Sequence, residues 1–428
     1  MTDLHLADQT PEASPPHASA TDQPGASPPP RRAALVFVFV TLVLDMLALG
    51  IVVPVLPELV KEFRGGDTKS AAEIYGWFGT VWALMQFVFS PIMGALSDRF
   101  GRRPVLLLSM LGLGLDYVLM ALAPTLGWLF VGRVVSGITA ASFTTAAAYI
   151  ADVTPVERRA AGFGMLSAAF GLGFVLGPAI GGLLGSENLR LPFWVAAGFT
   201  LLNFVYGYFV VPESLPIDRR EAFRWRRANP VAALNLLRSH RELFGLATVM
   251  VLFYLAHEVL PTTFVLYARY RYGWGERAVG LTLALFGVCA IVIQMGLVRP
   301  IVARFGERRT ILAGLLFGIA GFTIYGLATT GLVFLLGIPI MSLWGLFGAS
   351  AQSLMTRRVG PTEQGKLQGA LNSMRGITGM TGPMIFSTTF AAFVETGGGF
   401  ELPGAAFLLA ALMLVGAVLL AWRVTRRE

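Results

Sequence analysis

From residue 33 onward the chain is a succession of apolar runs separated by short polar connections. A helix needs about 20 apolar residues to cross about 30 Å of hydrocarbon. Twelve runs meet that length: 33–57, 72–97, 103–123, 126–150, 160–184, 190–211, 242–268, 276–303, 308–329, 332–357, 366–394 and 402–423. Within lipid each backbone N–H and C=O must be paired internally, so such runs fold as helices. A membrane β-barrel would show short alternating segments instead, and none dominate here. The bulk figures agree, with 55% hydrophobic residues, 14% charged residues and a mean hydropathy of +0.67. The expectation is an all-α membrane protein with 12 transmembrane helices. Runs 126–150 and 366–394 are the weakest by composition, because each holds an arginine and many small residues.

Charge sets the orientation. With the N-terminus in the cytoplasm, the inner segments carry 24 Lys or Arg and the outer loops carry 7. Cytoplasmic loops are the basic ones, so both termini are expected inside. The formal net charge of +8 does not point to nucleic acid, since the basic residues lie in loops between spans rather than on one soluble face. Residues 1–32, seven of them proline, lack apolar periodicity and read as a solvated cytoplasmic tail rather than a signal peptide. The basic stretch 212–241 divides six spans from six, giving expected bundles over 33–211 and 242–428. Within it Asn229–Arg238 reads as a short surface helix. The single cysteine, Cys289, excludes an intrachain disulfide, and His5, His17, His240 and His257 have no metal-ligand spacing. No cofactor is expected.

An ionised side chain in hydrocarbon costs about 2.5–3.5 kcal/mol, so it faces a cavity or a partner. Such residues are few: Asp45 in span 1, Asp116 in span 3, Arg133 in span 4, His257 and Glu258 in span 7, and Arg375 in span 11. Asp45 is expected near mid-membrane as the first candidate for proton or cation binding; that it faces the central space is what the resemblance given below implies. Asp116 is either a second such group or a polar contact between helices. Arg133 is a fixed charge that could act on a titrating carboxylate, or a structural partner of Asp45 or of a backbone carbonyl. Gln86 and Gln294 are candidates for the substrate cavity by the resemblance given below, and Arg375 is a third candidate. Gln86 and Gln294 could equally satisfy a neighbouring helix, and Arg375 could equally pair with Glu258 or cap the inner end of its span.

Between spans 2 and 3 lies Gly94-Ala-Leu-Ser-Asp98-Arg99-Phe-Gly101-Arg102-Arg103-Pro104, too charged to cross a bilayer. Gly94 would let two helices approach closely. Asp98 could accept at a helix N-terminus, and Gly101 permits a turn with positive φ. Arg99, Arg102 and Arg103 hold the loop on the cytoplasmic side. The halves repeat at one offset of 205 residues: Arg99-Phe100-Gly101 recurs as Arg304-Phe305-Gly306, and Gly177-Pro178 as Gly382-Pro383, although Ala303 stands at the place of Asp98. In span 5, Gly173, Gly177, Gly181 and Gly182 recur at near four-residue spacing and suggest one smooth, sliding helix face, with Pro178 able to seed a bend.

The loop at Asp98 resembles the one between the second and third helices of the major facilitator superfamily. Ser97–Ser109, Leu115-Asp116-Tyr117, Leu44-Asp45 with Gly50 and Pro54, and Gly132-Arg133 with Ser136–Thr139 resemble its tetracycline/proton antiporter branch. Ala169–Gly173 leading to Gly177–Gly182 resembles the span 5 motif of drug antiporters. The resemblance is dense in the first half of the chain and thin in the second. It implies two pseudo-symmetric six-helix bundles, a gating loop at Gly94–Arg103, a proton-coupling role for Arg133, and proton-driven efflux of a drug-like or tetracycline-like molecule. It also implies a bacterial inner-membrane location and a monomer with protons, a small-molecule substrate and lipid as its partners.

This sequence departs from the branch in the second half. Gly318 stands at the family's span 9 aspartate, and the family's span 8 histidine falls on Ala290. Glu258 is then a candidate replacement carboxylate, with His257 beside it to tune or share a proton. Alternatives are a metabolite symporter or uniporter on the same fold, or a sensor that no longer transports. No phosphate-binding loop or nucleophile–base grouping suggests an enzyme.

Overall fold

The computed structural model describes residues 31–140, 143–154, 159–223, 234, 236, 241–360, 363–394 and 401–426. The expected tail over 1–30 lies outside these residues, as does almost all of the expected surface helix over Asn229–Arg238.

The first half consists of α1 (Arg31–Val52), α2 (Leu56–Phe63), α3 (Thr68–Phe100), α4 (Arg102–Leu122), α5 (Leu126–Ala140), α6 (Phe143–Val153), α7 (Arg159–Glu187) and α8 (Leu191–Val210). The second half consists of α9 (Arg241–His257), α10 (Val259–Tyr272), α11 (Glu276–Ile291), a π-helical turn at Val292–Leu297, α12 (Val298–Leu327), α13 (Gly331–Ser342), α14 (Gly345–Arg357), α15 (Gln364–Ala392) and α16 (Ala405–Val424). Among the described residues ten stretches are long and apolar enough to cross a membrane. One of them, Glu276–Leu327, is two spans in series, because Gly306 leaves helical geometry at φ 77° and ψ 164°. α15 is not among the ten, in keeping with the polar composition of 366–394.

Each half has its own apolar interior. Residues of α9–α16 form one core cluster, rich in stacked rings such as Tyr267, Tyr325, Phe334 and Phe407. α1–α8 supply two smaller clusters. The repeat extends to the chain breaks. Gly101 (φ 104°) and Gly306 both adopt positive φ, which only glycine tolerates readily, and each ends one span and starts the next without a loop.

The halves meet along two helix pairs, α3 with α15 and α7 with α11. Each contact runs only part of the way across. On the side opposite the chain termini the helices touch backbone to backbone. A Cβ at Gly182 would collide with Gly280 and with the Glu276 carbonyl, and one at Gly76 would collide with Ser387. On the side of the termini, Gly94 of α3, Gly164 of α7, Gly296 of the π-turn and Gly365 of α15 have none of the described residues within 4 Å of a Cβ position. The space between the halves is therefore closed at the opposite face and open at the terminal face. Gly94 consequently makes no close helix approach here, contrary to the expectation from the loop.

Candidate functional site

In the second half three spans lose regular helix at the same level. Span 7 breaks between α9 and α10 at Glu258, where Glu258 N donates to Leu255 O at 3.1 Å, a tight three-residue turn. Pro261, four residues beyond His257, has no N–H to return to the His257 carbonyl. Span 8 widens into the π-turn, and Pro300 stands four residues beyond Gly296. Span 10 breaks at Leu343–Trp344, between α13 and α14, where Trp344 N donates to Met341 O and Phe347 N to Trp344 O. Irregular backbone at membrane depth is tolerated where it is buried in protein or lines a cavity.

These breaks bring side chains together. The Trp344 ring stacks against His257, with centroids 5.8 Å apart, and packs on Phe253 at 4.7 Å. Gln294, in the π-turn, points its Oε1 to the side of Gly345 where a Cβ would stand, 3.4 Å from that position. Glu258 turns the other way, onto α15, where its methylenes fill the space that a side chain at Gly382 would take and its Oε1 lies beside Gly379. Neighbouring residues on a helix diverge by about 100°, and His257 and Glu258 do have different neighbours. Arg375 lies over the Tyr254 ring at 5.2 Å, and its charge acts on both His257 and Glu258 without a direct ion pair. His257, Gln294 and Arg375 are exposed although each sits well inside its span, so they face open space.

The first half holds a separate charge cluster. Arg133 on α5 donates through Nη2 to Ser136 Oγ at 3.2 Å, and Trp82 Nε1 donates to the same oxygen at 3.1 Å. The Arg133 charge acts on Asp116, Tyr117 and Tyr75. Asp116 is 1% exposed and neither of its oxygens has a hydrogen-bond partner. It fits against α5 because residue 132 is glycine, where a Cβ would lie 3.0 Å from Oδ1. Arg133 thus sits with Asp116 rather than in an ion pair with Asp45. Asp45 was expected to face the central space. Instead its Oδ1 accepts from Asn203 Nδ2 at 3.0 Å, and the same nitrogen donates to the Thr41 carbonyl at 3.0 Å. Asn203 belongs to α8, which packs on α4 and α1 and lies away from the second half. The reason is local: a half-buried carboxylate takes the buried amide donor within reach. Gln86 is half-buried on α3, between Met85 and Phe87, which touch α5 at Gly137 and α15 at Gly376.

The glycine run of α7 serves two contacts rather than one smooth face. Gly173, Gly177 and Gly181 pack against Met46, Leu47, Gly50 and Ile51 of α1, whereas Gly182, about 100° around the helix, meets α11. Pro178 lies inside a continuous helix, with its carbonyl against Gly280. α7 is thus wedged between its own half and the other.

The sequence model of the Major Facilitator Superfamily matches residues 38–383. The chain belongs to that superfamily. It is 40% identical over 383 residues to the class C tetracycline resistance protein of Escherichia coli, a match covering 89% of this chain and 95% of that one. It is 33% identical over 356 residues to the class B protein of E. coli, covering 82% and 87%. Among solved structures it is similar to a bacterial homologue of the human lysosomal transporter Spinster, with a TM-score of 0.77 at 16% identity over 94% of this chain and 98% of that one. The human organic anion transporter MFSD10 gives a TM-score of 0.68 at 24% identity over 92% and 100%. The fold is the major facilitator fold. The chain is a multi-pass membrane transporter and not an enzyme.

Two features of the transporter escape the sequence. At Gly318, a Cβ would lie 2.6 Å from Trp344 Cδ1 and 2.7 Å from Leu414 Cδ1. The volume an aspartate would need is filled by the tryptophan that stacks on His257. Glu258 lies elsewhere, on α15. The second feature is at the terminal face. Asp98 does not cap α4; Glu213 does, accepting from Arg102 N at 2.8 Å and Arg103 N at 3.3 Å. Asp98 pairs instead with the Arg102 guanidinium at 2.5 Å, and Arg102 Nε also reaches Asp152 Oδ2 at 3.1 Å. Arg103 Nη2 donates to Tyr208 O at 2.6 Å, and Arg99 lies over its neighbour Phe100. In the second half Glu307 pairs with Arg357 at 3.2 Å. Residues 307 and 357 are 102 and 152 shifted by 205, so the same brace recurs with its charges reversed. Asp152 and Glu213 sit at span ends, where sequence offers no signal separating them from ordinary loop carboxylates.

Proposed function

We propose that this transporter exports a drug-like or tetracycline-like small molecule from the cytoplasm in exchange for protons, across the inner membrane, with both termini inside. The proposal treats 33–211 and 242–428 as two six-helix bundles joined by the basic linker 212–241, acting as a monomer. The bundles rock about a shared cavity, opened alternately to each side. The single observation that carries it is that an arginine charge acts on a carboxylate within the spans of each half, Arg133 on Asp116 and Arg375 on Glu258. A carboxylate whose ionised form depends on a nearby fixed cation takes and releases a proton as its surroundings change. Protonation then biases one state over the other, which is what coupling requires. Asp45, held by Asn203, serves the same relay on the first-half side. His257, Gln294, Gln86 and Arg375 contact the substrate, with Trp344 as an aromatic wall.

The filling of the Gly318 site by Trp344 favours a substrate other than tetracycline itself, because the wall there is aromatic rather than acidic. The test is drug susceptibility in an efflux-deficient host, with tetracyclines inside a broad compound panel. Resistance to some compound, lost with Asp45→Asn and abolished by an uncoupler, supports the proposal. Absence of resistance to every compound, with protein confirmed in the membrane, moves the reading to metabolite transport.

A further inference from the structure

The proposed function requires the face opposite the termini to open in every cycle, and one ion pair stands in the way. Glu58 lies on α2, the far end of span 1, and is 5% exposed. Its Oε2 is 3.3 Å from Arg269 Nε at the far end of span 7. Arg269 Nη1 is also 2.7 Å from Glu276 Oε1 at the start of α11. Glu276 and Arg269 belong to the same half, and Glu58 belongs to the other. Among the described residues, this is the ion pair that joins the two halves; the other pairs lie within a half or within the linker. It sits beside close inter-half packing. The backbone of Glu276 meets Gly182, and its side chain lies beside Gly185, which also meets Val55, three residues before Glu58. Lys61 is the remaining charge acting on Glu58, from its own helix.

We infer that Glu58 and Arg269 form the latch that holds the far face shut, with Glu276 positioning the arginine. Glu276 draws the guanidinium to the edge of α11 and so presents Nε to Glu58. When the halves part, Arg269 keeps Glu276 and Glu58 gains water, so neither charge is stranded. In the closed face, removing the arginine leaves a buried, unpaired carboxylate, which destabilises that face strongly. The latch therefore sets the ratio of far-closed to far-open molecules, independently of the groups that bind substrate or protons. This rests on the alternating-access reading above.

The experiment places spin labels at Ser186→Cys and Thr330→Cys, on the far side of each half, in a Cys289→Ser background of the full chain in nanodiscs. A second pair, Phe100→Cys with Phe305→Cys, reports the terminal face. The unaltered latch should give a short far-face distance as its main population. Arg269→Gln should raise the long-distance fraction about tenfold or more, since loss of one buried charge partner is worth at least that, while Arg269→Lys should stay close to the starting distribution. Glu58→Gln provides the same reading if Arg269→Gln does not yield monodisperse protein. A far-face distribution unchanged by either variant, while the terminal pair still samples two distances, overturns the latch and leaves alternating access standing. One fixed distance for both pairs in every variant overturns the latch together with the alternating-access reading.

Discussion

Gly318 and Trp344 share one small volume, and at the residue scale that volume decides how this transporter differs from an acidic-walled cavity. The indole covers Gly318, has no partner for Nε1, and stacks on His257. An introduced aspartate would both overpack the site and bury a charge. Overpacking alone costs about 1–3 kcal/mol. Gly318→Asp is therefore expected to lower the melting temperature of the detergent-purified protein by several degrees, and Gly318→Asp with Trp344→Ala should recover most of that loss. Equal melting temperatures for Gly318→Asp and the starting protein would show that the indole does not fill the site. The sequence marked Gly318 as a departure from the family, but not what occupies its place. Trp344 lies 26 residues away on another span, and no local pattern ties a tryptophan to a glycine that distant.

At the scale of elements the terminal face is organised by braces and by glycines with empty surroundings. Arg102–Asp152 and Glu307–Arg357 occupy repeat-equivalent positions with opposite sign. Their strength should depend on complementarity and not on which helix carries the cation. Arg102→Glu is expected to reduce folded protein in the membrane severalfold, and adding Asp152→Arg should restore much of it, as a coupled pair requires. No recovery in the double variant would mean that Asp98 and Ser97, rather than Asp152, are the partners that matter to Arg102, since both also contact its guanidinium. The four glycines 94, 164, 296 and 365 give a complementary prediction. A Cβ at Gly94 or Gly296 meets none of the described residues within 4 Å in this state, so with Gly94→Leu or Gly296→Leu thermal stability should move by no more than about 0.5 kcal/mol, the usual range for surface changes. Transport should nevertheless fall sharply, because closing the terminal face brings these helices together. Gly182→Leu should instead fail to assemble, its Cβ site being taken by α11. Of these glycines the sequence singled out Gly94, in the connection between spans 2 and 3, and Gly182, in span 5. Which of them touch in a given state is a property of the relative position of the halves, and a single sequence does not encode it as a local signal.

For the whole molecule, hydrophobic run length and the 205-residue repeat were enough to read the fold, because bilayer thickness leaves helices of one length as the solution. Intramembrane charge was enough to find Asp45, Asp116, Arg133, Glu258, His257 and Arg375. It could not tell which of them meet. Asp45 faces α8 because Asn203, an inconspicuous amide in an apolar run, lies opposite it. The helix breaks at Glu258, Gln294 and Trp344 converge only once three separate spans are packed together, although Pro261 and Pro300 flag two of them individually. What is common to both readings is the set of ionisable groups within the spans, with a carboxylate and an arginine in each half.

The central claim is that export is driven by exchange for protons. Its most direct test uses everted membrane vesicles carrying the transporter, an imposed acid-inside gradient, and a fluorescent reporter of that gradient. A compound identified by the susceptibility panel is then added. The account predicts that the compound collapses part of the gradient in a concentration-dependent way, and that Asp116→Asn and Glu258→Gln vesicles, with equal protein content, show little or no collapse. Uptake of the compound into such vesicles with the gradient unaffected, and at the same rate when no gradient is imposed, would contradict it.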